Sequence, residues 1–414
     1  MSAYYWPEPS GNAPYVTGLT KHLVSMGHEV TVLTGFPHYP EWRARGRRLW
    51  RSGDYDGVRL CRRFHSVPRA RSARSRGVYE GLLLAGGLVA LPRINSPDAV
   101  LGICPTLADG VLAAAAARVH AKPFGLVFQD VLSKAASQGG VSGGPSVATL
   151  VRGAEGAIAR RANVIGVVAD GFRSHFEQLG VLPDRIHRLR NWVCESPPSD
   201  ERSTTRARLG WRDQEFICLH AGNMGSKQDL VTLIAAAEYL RGRTIRIVLA
   251  GEGSDKNRLR SLVRTRGLSA EVSFLGNQEP GAFESMLAAA DVLLINQRAS
   301  VRDMSLPSKL TSYFASGRPV VGLVAVGSET ERELLLSGGA IVLSAGDSAG
   351  LAEQLLRLAA SPALVANLGR CGHDFAESVL SPRAALPAWE RLVASLASKD
   401  TSSTLSSGTP LGHD

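Results

Sequence analysis

Cysteine is scarce and scattered. Cys61, Cys104, Cys194, Cys218 and Cys371 are the only five in 414 residues, and no two stand as a C-x-x-C pair. That spacing excludes a disulfide framework and a cysteine-based zinc site, and it fits a reducing compartment. The ten histidines form no H-x-x-x-H pair, so no metal is expected either. Long apolar runs are missing too: the longest, Gly81–Leu91, is about half of what a bilayer crossing needs. Met1–Gly11 lacks the cationic start and apolar core of a secretory signal. Hydrophobic residues at 44% and charged residues at 20% exclude wholesale disorder. The length is that of a chain with two or three domains. A soluble, multidomain protein of the cytoplasm is the expectation.

Charge is present but concentrated. The chain carries +10 overall, and the stretch from Arg43 to Arg76 holds twelve arginines opposed only by Asp54 and Asp56, which is 12 − 2 = +10. An apolar run, Val78–Leu91, follows at once. Together they predict a face that lies against anionic phospholipid, placing the protein peripherally on the inner face of the cell membrane. An arginine-rich surface with no partner is the plain alternative. Nucleic acid is not expected as a partner: turn signals such as Ser52-Gly53-Asp54 break the segment, and it has no helical period. Asp54-Tyr55-Asp56 matches the D-x-D of metal-using enzymes, yet between Gly53 and Gly57 it reads as a hairpin turn.

Short β-branched apolar runs alternate with helical patterns along the whole chain, which signals parallel sheets covered on both faces. The alternation occurs in two sets separated by Cys194–Ser203 with its Pro197-Pro198. The expected fold class is therefore α/β, with two doubly wound Rossmann-like domains. The first spans 1–195 and the second 204–375, followed by a helix over 376–400 packing back towards the first domain and a disordered tail over 401–414. Ser2-Ala3-Tyr4-Tyr5-Trp6-Pro7 reads as the loop after a buried strand, so the first strand of the first domain is expected to lie upstream of Met1.

In open α/β sheets ligands bind beyond the carboxyl ends of the strands. In the first half Gly11 and Asn12 lead into a helix starting near Tyr15, where backbone N–H groups can meet an acceptor or phosphate, or where Ser10 or Asn12 simply caps the helix. Asp130 ends the apolar strand Phe124–Phe128 and is a candidate for orienting or deprotonating a hydroxyl. In the second half Gly222, Asn223, Gly225 and Lys227 lie in a strand-to-helix loop suited to a diphosphate, without being a Walker sequence. Gly251 and Glu252 end the next strand, and Asn277 with Gln278 the one after. Pro307, Ser308 and Lys309 begin a further helix, which Gly317 closes.

The order of phosphate loop, A-G-E-G, F-L-G and P-S-K-x-x-S-Y-x-A-x-G-R-P-V resembles the family 4 retaining glycosyltransferases. So do Gly27-His28-Glu29-Val30 through Pro40 and Arg190-Asn191-Trp192-Val193, which are similar to bacterial exopolysaccharide and O-antigen transferases of the colanic-acid type. The resemblance covers roughly Ser2 to Ser378. It implies the GT-B fold, two domains facing across a cleft, and no cofactor beyond a nucleotide-diphosphate sugar as co-substrate, with a UDP-sugar favoured. It implies hexosyl or N-acetylhexosaminyl transfer to a lipid-linked or carbohydrate acceptor. Lys227 falls where the family places a cation on the diphosphate, and Ser312 where many members carry a ribose-binding glutamate. Met304 stands at the place of a second glutamate, so the E-x7-E signature is absent; Asn223 stands where relatives often have arginine, and Gln129 where some have histidine. Ser137–Gly144, rich in glycine, is read as a mobile acceptor loop. Asp130 and Lys227 are the expected catalytic residues. The alternatives are a catalytically silent relative acting as a membrane scaffold, and a sugar-nucleotide epimerase or hydrolase.

Overall fold

The structure, a computed structural model, describes residues 1–9, 11–38, 50–67, 73–134, 144–194, 197–302 and 306–403. Its chain divides into two compact units. The first is built from Met1–Arg190 with the chain from Ala385 onward, the second from residues 191–302 and 307–384.

The first unit contains strands β1 (Thr31–Gly35), β2 (Trp50–Tyr55), β3 (Val58–Arg63), β4 (Val100–Cys104), β5 (Phe124–Phe128), β6 (Val164–Val167) and β7 (Ile186–Arg188). Its helices are α1 (Ala13–Ser25), α2 (Ala73–Ala90), α3 (Leu107–His120), α4 (Gly144–Ala159) and α5 (Asp170–Gln178). These strands form two sheets rather than one, ordered β1-β3-β2 and β4-β5-β6-β7. The seam between them is filled by Met1 and Ser2. The Met1 amino group donates to the Leu101 carbonyl (2.8 Å), Ile103 N–H donates to Met1 O (2.9 Å), and Ser2 N–H donates to Leu33 O (3.1 Å). Residues 1 and 2 thus hold a strand's place between β1 and β4.

β2 is the strand that the expected hairpin turn requires before it, although no apolar run marks its range. It pairs antiparallel with β3, and all its residues but the last are exposed. An exposed edge strand needs no apolar alternation, so no period marks it. The expected hairpin turn lies at its end: Asp56 takes a left-handed φ of 51°, Gly57 N–H donates to Asp54 Oδ1 (3.2 Å), and Asp56 pairs with Lys21 (2.7 Å). Two of the arginines assigned to a membrane-facing surface are buried instead, Arg62 at 9% exposure and Arg63 at 0%. Consecutive in β3, they point to opposite faces of the sheet, and each meets an acceptor on its own face, Gly35 O for Arg62 (3.1 Å) and the Asp109 carboxylate for Arg63 (2.5 Å). Much of the rest of that basic stretch, at 43–48 and 69–71, lies outside the described residues.

In the second unit α6 (Arg202–Leu209) precedes β8 (Phe216–Ala221), α7 (Val231–Glu238), β9 (Ile245–Ala250), α8 (Lys256–Thr265), β10 (Val272–Leu275) and α9 (Ala282–Ala289). Then come β11 (Val292–Asn296), α10 (Lys309–Ala315), β12 (Val320–Val324), α11 (Glu329–Ser337), β13 (Ala340–Ser344), α12 (Ser348–Ala359), α13 (Pro362–Phe375) and α14 (Pro382–Ser403), the last crossing into the first unit. One parallel sheet, ordered β10-β9-β8-β11-β12-β13, carries the unit. That order reverses direction between β8 and β11, the switch point at which doubly wound sheets open a crevice for ligands. Its strands read as near-continuous apolar runs because helices cover both faces. Leu219, Ile247, Leu249 and Leu294 are fully buried.

The sequence predicts a helix over Gln228–Arg241, but α7 begins only at Val231. Asp229 adopts a left-handed φ of 44°, which a continuous right-handed helix does not accommodate, and a single 3-10 turn at Ser226–Gln228 precedes it. The terminal helix is longer than expected and reaches Ser403, so residues 401–403 are helical; 404–414 lie outside the described residues. Trp389 of this helix is buried, and its indole N–H donates to Arg190 O (2.9 Å).

Candidate functional site

Three loops at the carboxyl ends of β8, β9 and β10 are held together by backbone bonds. Gly222 N–H donates to Ala250 O (2.9 Å), Met224 N–H to Glu252 O (2.8 Å), and Gly251 N–H to Leu275 O (3.1 Å). Gly222 and Gly251 have φ of 130° and 128°, a region that side-chain-bearing residues rarely adopt. A Cβ on Gly251 would stand 2.1 Å from Gly222 O, and one on Gly253 2.4 Å from Met224 O. Glycine is needed here so that backbone can lie on backbone, and the loops together form one surface of main-chain polar groups.

Lys309 reaches this surface from α10. A Cβ on Gly222 would meet its Cε at 3.2 Å and its Nζ at 3.0 Å. The ammonium donates to Nε2 of His220 (3.4 Å), whose Nδ1 donates to the Leu294 carbonyl (3.2 Å). Burial lowers the Lys309 pKa to about 7, and burial, with Lys309 next, pushes His220 well below the usual imidazole range. No described carboxylate pairs with Lys309. A half-buried cation without a counter-ion is costly unless a ligand supplies one.

The neighbouring groups are committed elsewhere. Tyr313 is fully buried; its hydroxyl accepts from Ala221 N–H (2.8 Å) and donates to Ala221 O (3.2 Å), pinning the start of the first loop. Lys256 donates to Gly251 O (2.9 Å) and pairs with Glu252 (2.5 Å), propping the second loop. Asn296, fully buried at the end of β11, donates through Nδ2 to both Gln228 O and Asp229 O (2.6 Å each). It fixes the turn that carries Lys227, whose own carbonyl accepts from Arg298 N–H (3.0 Å).

Of the residues singled out in the sequence, Gly222, Gly251 and Lys309 come together in this unit. The Asn223 amide lies against Gly225, where a Cβ would meet its Nδ2 at 2.7 Å. Glu252 is turned to Lys256. Asn277 is exposed, while Gln278 donates to Gly276 O (3.2 Å) within its own loop. Pro307 and exposed Ser308 precede α10, which has seven residues and starts at Lys309 rather than at Pro307. Ser312 is buried at 6% exposure. Met304, the position of the missing E-x7-E residue, and Asp303 one residue before it lie outside the described residues. His220, Asn296, Tyr313 and Lys256 had not been singled out as site residues. A signal existed for two of them: a histidine or asparagine ending an otherwise apolar strand is out of pattern.

In the first unit Gly11 takes a left-handed φ of 68°. Asn12 is the N-cap residue of α1 without a side-chain capping bond; Ser10, the other capping candidate, lies outside the described residues. Asp130 follows β5 and is half-buried. The loop just beyond it is held by Glu155, which accepts from Leu132 N–H (2.9 Å), Ser133 Oγ (2.6 Å) and His175 Nε2 (2.9 Å). The proposed acceptor loop at 137–143 lies outside the described residues.

Two family models match this chain. A glycosyl transferase 4-like domain covers residues 10–192, and a glycosyl transferases group 1 domain covers 201–373. A putative colanic acid biosynthesis glycosyl transferase, WcaI of Escherichia coli K12, is 28% identical over 328 residues, 76% of this chain and 79% of the relative. Among solved structures, sucrose-phosphate synthase from Thermosynechococcus elongatus superposes with a TM-score of 0.74 at 16% identity, covering 96% of each chain. Anabaena HepE in complex with UDP gives 0.69 at 16% identity, covering 95% of this chain and 99% of that one. The chain therefore belongs to the glycosyltransferases of the GT-B fold that carry this pair of domains.

Proposed function

We propose that this chain is a retaining glycosyltransferase that moves a hexosyl or N-acetylhexosaminyl group from a UDP-sugar to a lipid-linked or polysaccharide acceptor. The observation that carries the reading is Lys309: a half-buried cation without a carboxylate partner, aimed at a surface of backbone groups that glycines keep bare. A nucleoside diphosphate supplies the missing charge. In a retaining transfer the acceptor hydroxyl attacks on the face from which the diphosphate departs. The task of the protein is then to stabilise negative charge growing on the leaving oxygen, which Lys227, Lys309 and preorganised backbone N–H groups are suited to do. The leaving phosphate itself can take the acceptor proton, so Asp130 orients the acceptor and is not an obligatory base. No cofactor enters this scheme, and no metal ion is required by it. The likeness to a colanic acid transferase and to a UDP-bound fold relative supports the donor and the acceptor class.

The acceptor class also favours membrane contact. On α2, Val78, Leu88 and Val89 are exposed at 59%, 44% and 65%, and with Gly81 and Ala85 they follow helical spacing on one side. Arg51, Arg59 and Arg76 are exposed nearby in the chain. An apolar stripe with arginines suits an anionic lipid surface, each cation adding about 1 kcal/mol. No helix among the described residues is long and apolar enough to cross a membrane.

The test is a melting-temperature panel with UDP, GDP, ADP and dTDP on the wild type and Lys227→Ala, followed by turnover with the matching sugar nucleotide. UDP in roughly hundredfold excess over its Kd is expected to add about 2.7 kcal/mol of stability. Lys227→Ala is expected to lose most of that shift and about a hundredfold in kcat, more than Asp130→Ala loses. A folded wild type that responds to none of the four nucleotides sinks the transferase reading and favours the scaffold.

A further inference from the structure

We propose that His220 is a positioning residue for the leaving group, holding the Lys309 amine over Gly222 so that the donor diphosphate becomes its counter-ion and binds as the amine takes up a proton. This inference rests on the transferase reading above and adds to it the residue that aims the cation and the proton that accompanies binding.

The geometry is specific. His220 is the fifth residue of β8, fully buried among apolar strand neighbours, with both ring nitrogens engaged. Because Nδ1 faces a carbonyl oxygen, Leu294 O, it must carry the hydrogen. Nε2 is then a bare acceptor, and the Lys309 ammonium is the donor that meets it. One tautomer therefore satisfies both contacts; the backbone of Asn223 also meets the ring and favours the imidazolium, but burial and the Lys309 charge outweigh it. His220 acts on Lys309 as a fixed stop. It removes the rotamer freedom of a long side chain before the ligand arrives, which is the cost that preorganised sites avoid.

Among the described residues, the pair has no other ionised neighbour to share its charge. From β8 itself comes only His220, and from α10 only Lys309 and the Tyr313 phenol, which is bonded to the backbone of Ala221. From the β9 loop come Lys256 and Glu252, already paired with each other. With desolvation holding the Lys309 pKa near 7, part of the population is neutral around neutral pH. A diphosphate arriving within contact distance favours the charged form, so the amine draws a proton from solvent as the ligand binds.

Calorimetric titration of UDP-glucose into the whole chain, repeated in buffers of different ionisation enthalpy, reads the proton count directly. The phosphodiester groups of this probe do not titrate near neutrality, so any uptake belongs to the protein. The wild type is expected to take up a fraction of a proton at about pH 7.5 and nearly none at about pH 6. Lys309→Gln is expected to abolish the uptake and weaken binding by about tenfold or more. His220→Phe is expected to weaken binding severalfold, and His220→Gln, whose amide oxygen can still accept from Lys309, to restore most of the loss. Melting curves establish that each variant is folded.

Wild-type binding without proton uptake across this pH range overturns the inference while leaving the transferase reading in place. So does a folded His220→Phe with wild-type affinity. Failure of the wild type to bind UDP-glucose, UDP or the other three nucleoside diphosphates overturns both together.

Discussion

The buried clamps of the first unit and the loop site of the second treat charge in opposite ways. Among the described residues of the first unit, the deeply buried ions Arg63 and Glu155 have answering groups inside the protein, as Arg206 and Glu215 have in the second. Arg63 meets Asp109, both fully buried, and the same carboxylate accepts from Ala3 N–H (2.8 Å) and Thr106 Oγ1 (2.8 Å). Glu155 is likewise satisfied by His175, Ser133 and a backbone N–H. At the loop site of the second unit Lys309 has, among the described residues, a neutral imidazole beside it and no carboxylate. A compensated charge is a structural clamp, fixing loops and helices to one another. An uncompensated one is a destabilised group that a ligand relieves. The contrast separates scaffold from site without reference to any relative.

The largest effect should come from breaking the compensated pair. Arg63→Met leaves the Asp109 carboxylate buried without its cation and is expected to cost about 3–5 kcal/mol. Chemical denaturation would measure it, and replacing Asp109 by Leu in the same chain should recover part of the loss. Recovery of nothing would mean that Arg63 acts through packing rather than charge. A smaller effect is expected at the backbone of the site. Gly251→Ala forces a Cβ into the space of Gly222 O at a φ of 128°, costing about 2–3 kcal/mol and displacing the loop that receives the donor. Stability and UDP affinity should fall together; an unchanged affinity would remove this loop from the site.

The smallest effect has the opposite sign. Lys309→Met replaces an unpaired cation by an apolar chain of similar length, so the ligand-free protein should melt a few degrees higher. Unfolded, Lys309 has its ordinary value of 10.5; folded, about 7. Between those two values the unfolded state binds more protons, so wild-type stability rises with pH there. The advantage of Lys309→Met should therefore be greatest below about pH 7 and shrink towards about pH 10. A variant that is less stable than the wild type at every pH would show that Lys309 is compensated after all, and the contrast between clamps and site would fail.

Most strands and the glycine loops could be placed from the sequence within a residue or two, because a buried parallel strand and a strand-to-helix turn carry local signatures. β5 and β9 are found where the apolar runs place them. The range of β2 was not legible, since an exposed antiparallel edge strand is specified by its partner β3 and not by its own pattern. α6, α12 and α13 were also passed over. Lys309 was legible as a candidate from its place after Pro307-Ser308, but the histidine that aims it was not. His220 and Lys309 are 89 residues apart, and nothing in the neighbourhood of either announces the other.

The amino-acid order by itself therefore determined the two α/β halves, the glycine-bearing strand ends and the supply of cations, because these follow from periodicity and backbone preference over a few residues. Only the tertiary structure decided which of those cations are answered. Arg62 and Arg63 look from the sequence like part of a basic surface, yet the sheet turns them inward to acceptors on other elements. Lys309 could be singled out as a candidate, yet only packing shows it desolvated with no carboxylate among the described residues. Whether a charge is compensated depends on partners that long-range folding brings within a few ångströms, and solvation energy changes steeply over that distance.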